Sequence, residues 1–202
     1  MTHQSPLFDD VPDYDGDRDI RCVMADPPWD RESGGGQCKR GADRHYPLLS
    51  PKRVAQVIVT DCPHWRRIAD SAHLWLWVTN ATLAAGDAHT VAEGLGFRPV
   101  TLFTWKKVTD DGDVQRGLGQ YSYGSTEHLM LCVRGETMMP DSGDRWPTVF
   151  DAERGQHSRK PDISYDLIED TSPGGYLEIF ARRERPGWLA WGNEIDTEST
   201  ST

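Results

Sequence analysis

No stretch of this sequence is long and apolar enough to span a bilayer. The opening residues, Met1-Thr2-His3-Gln4-Ser5-Pro6, lack both the basic and the apolar region of a secretion signal. The cysteines, Cys22, Cys38, Cys62 and Cys132, are scattered and form no Cys-x-x-Cys pair, so neither a zinc ribbon nor a disulfide framework is expected. Three of them lie in apolar segments, where buried free thiols in a reducing compartment are the expectation. The histidines show no metal-ligand spacing, and no metal is expected. The glycine fingerprint G-x-G-x-x-G is missing, which disfavours an NAD-type Rossmann enzyme. Internal repeats are absent too. Positive charge is in short supply: 22 Lys and Arg face 32 Asp and Glu, a net charge of −10. That balance is awkward for a polyanion partner, which is usually met by a basic face; the alternatives are a local positive rim around a pocket and a set of solvated charges.

What is present divides unevenly. Asp9, Asp10, Asp13, Asp15, Asp17 and Asp19 load the first nineteen residues with acid, so 1–19 reads as a flexible acidic arm. Residues 196–202 read as a disordered tail, and 20–195 as one domain. Residues 20–25 read as a buried strand. A long loop at 31–45 is rich in glycine and charge; directly behind the first strand, it reads as a lid. Ser50-Pro51 opens a helix as N-cap and N1. Residues 73–78 form a strand, Asn80 caps the next helix, and Gly94 and Gly96 end it. Further strands are expected at 99–106, 127–133, 176–181 and 188–191, with a helix capped by Ser158 and running to about Asp170. Strands alternating with helices predict an α/β fold with a largely parallel sheet.

The first strand ends in Met24-Ala25-Asp26-Pro27-Pro28-Trp29. A carboxylate at Asp26 and a backbone carbonyl of the Pro27-Pro28 turn can each accept one N–H of an exocyclic amine on a planar ring, such as adenine N6. Those two bonds pull the nitrogen toward tetrahedral geometry and free its lone pair for attack. Proline offers no competing N–H and fixes φ, so the carbonyls point one way. Trp29 is expected to wall a flipped base. A strand ending in an acid at the carboxyl edge of an α/β sheet is also where such folds bind ligands.

Near the other end, the strand Tyr176–Ala181 runs into Arg182-Arg183-Glu184-Arg185-Pro186-Gly187, and the next strand ends in Asn193-Glu194. Polar groups placed there can bond ribose hydroxyls. Gln156-His157-Ser158-Arg159-Lys160-Pro161-Asp162 puts positive charge at a helix start, where an anionic carboxylate would be held. A plain arginine-rich hairpin and simple capping remain the alternatives for these two segments.

In order, these landmarks resemble the MT-A70 family of adenine N6-methyltransferases over roughly 20–195. They are Val-Met-Ala-Asp-Pro-Pro-Trp at 23–29, His-Tyr-Pro at 45–47, Leu-Trp-Val-Thr-Asn at 76–80 and Phe-Thr-Trp-Lys-Lys at 103–107. Thr-Glu-His-Leu-Met-Leu-Cys-Val-Arg-Gly follows at 126–135, then His-Ser-Arg-Lys-Pro-Asp at 157–162, Leu-Glu-Ile-Phe-Ala-Arg at 177–182, and Pro-Gly-Trp-Leu-Ala-Trp-Gly-Asn-Glu at 186–194. The compact form looks like bacterial and phage members. The resemblance implies a permuted, Rossmann-like methyltransferase fold that uses S-adenosyl-L-methionine. It implies Asp26, Pro27, Pro28 and Trp29 as the catalytic turn, with Asp26 also touching the cofactor's ammonium. Tyr46, Trp105, Glu127 and Ser158 match substrate-pocket positions; Lys160, Arg182, Asn193 and Glu194 match cofactor contacts. The turn at 183–185 is shorter than the family pattern and lacks its His-Asn pair, so the partners of Arg183 and Arg185 stay open.

The expected function is therefore methylation of adenine N6 in nucleic acid, with DNA preferred and RNA the second choice. A non-catalytic nucleic-acid-binding partner subunit is the rival of another class; Asp26 and Lys160 are both retained, which disfavours it. No membrane association is expected, the expected compartment is the cytoplasm of a bacterium or phage-infected host, and a homodimer or a partner subunit stays open.

Overall fold

The computed structural model describes residues 16–29, 48–117, 121–136, 145–155, 159–193 and 195. Tyr46, Ser158, Glu194, the glycine-rich loop at 31–45 and most of the acidic arm lie outside these residues. Strand β1 (Ile20–Ala25) is central, and all of it but Arg21 is buried. Such a continuous apolar run suits a parallel strand covered on both faces. Helix α1 (Pro51–Asp61) follows, turning Val54, Ala55, Ile58 and Val59 inward. Ser50 is its N-cap and Pro51 its first residue, as the sequence indicates, although the Ser50 hydroxyl makes no capping bond. A single 3-10 turn at Trp65–Arg67 leads into β2 (Ile68–Val78), five residues longer at its start than the apolar run suggests.

The segment expected as one helix after β2 is two, α2 (Asn80–Ala84) and α3 (Asp87–Gly94). Gly86 lies between them at φ +79, a left-handed turn that glycine adopts without a Cβ clash. The cap of α2 is Thr79, not Asn80: Thr79 and Thr82 exchange side-chain and backbone bonds in a capping box. Asn80 instead donates its amide to the Thr126 carbonyl at 3.2 Å. Strands β3 (Arg98–Val108) and β4 (Thr126–Arg134) follow, then a short edge strand β5 (Val149–Glu153) that hydropathy does not reveal. Helix α4 runs Ile163–Thr171 with Asp162 as N-cap, so it begins later than the expected Ser158 cap. Strands β6 (Tyr176–Ile179) and β7 (Trp188–Trp191) close the domain.

The seven strands form one sheet in the order β5-β3-β4-β2-β1-β6-β7. Pairings β1–β2, β1–β6, β3–β5 and β6–β7 are parallel; β4 runs antiparallel between β2 and β3. The fold is thus α/β with a mostly parallel, Rossmann-like sheet. One face packs under α1 and α3 and the other under α4, each with its own apolar cluster. From β1 the chain moves to β2 on one side and returns later to β6 on the other. This topological switch point places a crevice outside the carboxyl end of β1, where Asp26 stands. Because β4 is reversed, its first residues, Thr126 and Glu127, reach the same edge. Cys22, Cys62 and Cys132 are free and buried. No helix among the described residues is long and apolar enough to cross a membrane.

Candidate active site

Asp26 is the outward-facing residue of its turn; Pro27, Pro28 and Trp29 are buried behind it. The turn is held from several directions. The Asp26 N–H donates to the Ile179 carbonyl at 3.4 Å, the Trp29 N–H to the Pro27 carbonyl at 2.9 Å, and the Leu49 N–H to the Pro28 carbonyl at 3.0 Å. A carbonyl has two lone pairs, so Pro27 keeps one to offer. Trp29 is not an open wall. It is 7% exposed, belongs to the core under α1, and donates its indole N–H to the Trp77 carbonyl at 3.0 Å. An indole seated on β2 in this way braces the turn instead of facing a base.

A chain of alternating charges crosses the carboxyl edge from Asp26. The Lys160 ammonium lies 3.1 Å from Asp26 Oδ1 and 2.9 Å from Glu127 Oε2. Glu127 Oε1 in turn takes Lys107 at 2.6 Å. Each lysine sits over an indole, Lys160 over Trp77 and Lys107 over Trp105, both at 5.1 Å from the ring centroid. The two indoles meet edge to face at 6.1 Å. Trp105 is 2% exposed and donates to the Ala152 carbonyl at 2.8 Å, so it is a floor under the charges, not a direct pocket contact. Burial works to raise the Glu127 carboxyl, but the two lysines outweigh it and hold it down at about 2. Burial likewise works against the Lys160 cation, yet Asp26 and Glu127 raise its pKa above the ordinary lysine value. All four side chains keep some solvent access, so the cluster is a half-open pocket wall. Beside it, half-buried His128 of β4 bridges Thr104 Oγ1 of β3 at 3.0 Å and Asn80 Oδ1 at the start of α2 at 2.9 Å, tying the three elements together.

Glu178 was not expected at the site. The signal for it was available: it is the single charge inside the apolar strand Tyr-Leu-Glu-Ile. It pairs in register with Met24, so it lies on the strand beside β1, one side-chain layer below Asp26. Burial pushes its carboxyl up to about 7; the Tyr165 hydroxyl, 3.1 Å from one oxygen, pulls down, and Asp26 pushes up again. Between about 4.5 and about 7 the folded chain therefore holds a proton that the unfolded chain has lost. Stability falls as pH rises through that window and is level above it. Glu178→Gln should remove the slope: its urea midpoint should gain on that of the parent from about pH 5 to about pH 8. A constant difference between the two proteins across the range would refute the assignment.

The arginine turn now has partners. Arg183 pairs with Asp162 at 2.5 Å, and Arg185 reaches Asp162 at 3.7 Å, Asp166 at 3.8 Å and Glu169 at 3.7 Å. The Arg185 guanidinium also lies 4.2 Å from the Tyr165 ring centroid. Both arginines grip the start of α4 and its outer face, which fixes the loop that carries Lys160. Arg182 and Asn193 are exposed at the ends of β6 and β7.

Beside the Asp26 turn, a cavity of about 250 Å³ opens between α1 and the ends of β6 and β7, lined among others by Leu49, Val57, Phe180, Trp191 and Asn193. Phe180 adopts φ 63, left-handed backbone that costs a non-glycine residue roughly 1 kcal/mol or more. The chain crosses itself tightly here: a Cβ on Gly192 would lie 2.1 Å from the Ala181 carbonyl oxygen. Gly192→Ala should therefore push β7 away from β6 and cost about 2–4 kcal/mol in urea denaturation. An undisturbed midpoint would show that this crossing tolerates a side chain.

A zwitterionic amino-acid tail needs an acceptor for its ammonium and a cation for its carboxylate; Asp26 and Lys160 supply both, side by side. A nucleoside needs an apolar slot with a polar rim, which the neighbouring cavity supplies. The residues present thus fit a nucleoside joined to an amino acid.

The MT-A70 family model matches residues 20–194. The chain is 29% identical over 191 residues to the type II methyltransferase M.MunI of a Mycoplasma species, covering 86% of this chain and 76% of that one. It is 27% identical over 181 residues to the N6-methyladenosine RNA methyltransferase MTA1 of Cryphonectria parasitica, covering 86% of this chain and 51% of the other. It is 29% identical over 187 residues to the human N(6)-adenine-specific methyltransferase METTL4, of which it spans 37%.

Proposed function

This chain belongs to the MT-A70 family, and we propose that it transfers a methyl group from S-adenosyl-L-methionine to N6 of adenine in DNA. The observation that carries the reading is the Asp26–Lys160 pair, set at the switch point of the sheet on a turn whose other residues are buried. The cofactor supplies a methyl group made electrophilic by a sulfonium. Lys160 and Asp26 bind its amino-acid end, and Phe180, Trp191 and Asn193 border the slot for its nucleoside. Asp26 and the Pro27 carbonyl each accept one N–H of the adenine amine. Held so, the nitrogen would become pyramidal and its lone pair would be free for attack, and transfer from a bound donor would be chiefly a matter of orientation. The amine becomes acidic only once methylated, so its proton passes to water along Asp26 and no strong base is required. Glu127, held by two lysines, edges the pocket for the base; Tyr46, Ser158, Arg182 and Glu194 complete the proposed contacts.

DNA is the preferred polymer because, of the three relatives above, the type II methyltransferase is the one that this chain spans most fully. RNA is the second reading, supported by the RNA methyltransferase relative. Work in the cytoplasm, as a homodimer or beside a partner subunit, fits the same proposal. The test is incubation with labelled methyl donor and matched DNA and RNA oligonucleotides, followed by nucleoside analysis. Labelled N6-methyldeoxyadenosine is the expected product. Label in N6-methyladenosine alone would reverse the order of the two polymers, and label in neither would overturn the reading.

A further inference from the structure

Lys107 enters the reading above only as one of the two lysines on Glu127, yet it is among the most enclosed cations of the described chain, 9% exposed at the end of β3. Its neighbour Lys106 points to the opposite face and pairs with Asp151 at 2.6 Å. A lysine is buried at a cost unless it is paired, and among the described residues Lys107 is ion-paired to one group, Glu127 Oε1. The Trp105 ring beneath it adds a second, weaker attraction. Its backbone is fixed as well: its N–H donates to the Ser125 carbonyl at 2.9 Å, and its carbonyl accepts from Gln115 at 2.8 Å.

The other oxygen of Glu127 holds Lys160, which also holds Asp26. The formal charges of Lys107, Glu127, Lys160 and Asp26 cancel. An ammonium has three N–H bonds, and two of those on Lys160 are taken by Glu127 and Asp26, leaving one for a ligand. Take Lys107 away, and two carboxylates share one lysine. Glu127 Oε1 then lacks a donor, the carboxylate turns toward the remaining N–H of Lys160, and the cluster is left with a net negative charge. Both changes oppose a carboxylate that approaches Lys160. Neither concerns a ligand without a carboxylate.

We infer that Lys107 is a positioning residue for the cofactor's amino-acid end, holding Glu127 so that Lys160 keeps an N–H and its charge for the cofactor carboxylate. The inference rests on the proposed reading that Lys160 receives that carboxylate. Lys107 reaches the ligand only through Glu127 and Lys160, so a loss of packing must be told apart from a loss of charge.

The test compares two ligands by calorimetry: S-adenosylhomocysteine, which carries the amino-acid tail, and 5′-methylthioadenosine, which has the same nucleoside and sulfur without the tail. Lys107→Met keeps most of the stem and removes the charge. It should weaken S-adenosylhomocysteine by about ten-fold, the scale of one charge removed roughly 10 Å away at protein-surface dielectric. Binding of 5′-methylthioadenosine should stay within about two-fold. Lys107→Arg restores the charge and should restore the preference for the tailed ligand. Equal weakening of both ligands by Lys107→Met, or no weakening of either, overturns the inference while leaving the methyltransferase reading intact. A Lys107→Met protein that does not fold transfers the decision to Lys107→Arg and Lys107→Gln, in which preference must again follow charge. Parent protein that binds neither ligand overturns the cofactor reading itself, and this inference with it.

Discussion

Asp26→Asn is expected to lower methyl transfer by about a thousand-fold or more while the protein stays folded and binds cofactor at a reduced level. The reason lies in polarity. The carboxylate offers acceptors in both directions, one to Lys160 at 3.1 Å and one toward the base. An amide offers one acceptor and one donor group. If its oxygen stays on Lys160, its N–H₂ meets the amine of the base donor to donor, and the nitrogen is no longer drawn out of its ring plane. Folding should survive, because the turn is held by backbone bonds to Ile179 and Leu49 and by the buried Trp29, none of which involve the Asp26 side chain. Single-turnover methylation of an adenine-containing oligonucleotide, read beside a thermal melt, measures both quantities. A folded Asp26→Asn protein with near-parental turnover would remove Asp26 from the chemistry.

Lys160→Met should lower stability and cofactor affinity together. Lys160 is the one cation between Asp26 and Glu127 in the charged chain, and its removal leaves two carboxylates facing across a mostly buried gap. Breaking such a pair from one side costs roughly 3 kcal/mol, the low end of the range for buried pairs because this cluster keeps some solvent. The loss should depend on pH with a definite sign. Glu127 is held at about 2 in the folded protein, well below its ordinary 4.5. Its contribution is present in full above about 4.5 and is lost as pH falls toward about 2. The gap in urea midpoint between parent and variant should therefore be wide at neutral pH and narrow in acid. S-adenosylhomocysteine should bind the variant more weakly, by the loss of a charge-assisted contact worth about 1.5–3 kcal/mol. A gap that is the same at neutral and acid pH, together with unaltered affinity, would show Lys160 to be a surface lysine of no consequence to the site.

Much of the fold was legible because it rests on local signals. Six strands announce themselves as apolar runs, and the helix after Ser50-Pro51 begins where its cap and proline say. The misses have identifiable causes. β5 is a five-residue edge strand of alternating polarity, held by its parallel ladder with β3 and by the single buried side chain of Phe150. Asn80 is as good a cap by type as Thr79; the backbone turned one residue earlier because Thr79 and Thr82 can bond reciprocally while Asn80 ties down Thr126. Helix α4 starts at Ile163, and its N-cap Asp162 is held by Arg183 and Arg185, residues twenty or more positions later that no local signal connects to it.

The sequence by itself determined the chemistry of the Asp26 turn, because Asp-Pro-Pro-Trp carries its acceptors, its missing N–H groups and its stiffness in four adjacent residues. It also determined an α/β sheet of mostly parallel strands, since hydrophobic period and turn residues are properties of short segments. Only the tertiary structure decided which charges meet. Lys107, Glu127, Lys160 and Asp26 stand on four separate segments, and they touch because β4 runs backward in the sheet and brings its first residues to the carboxyl edge. The same sheet order sealed Trp29 and Trp105 beneath the site and set Glu178 under Asp26 in half-buried surroundings that hold its proton. Burial and charge pairing are sums over neighbours distant in the chain, and those neighbours exist only once the strands have taken their places.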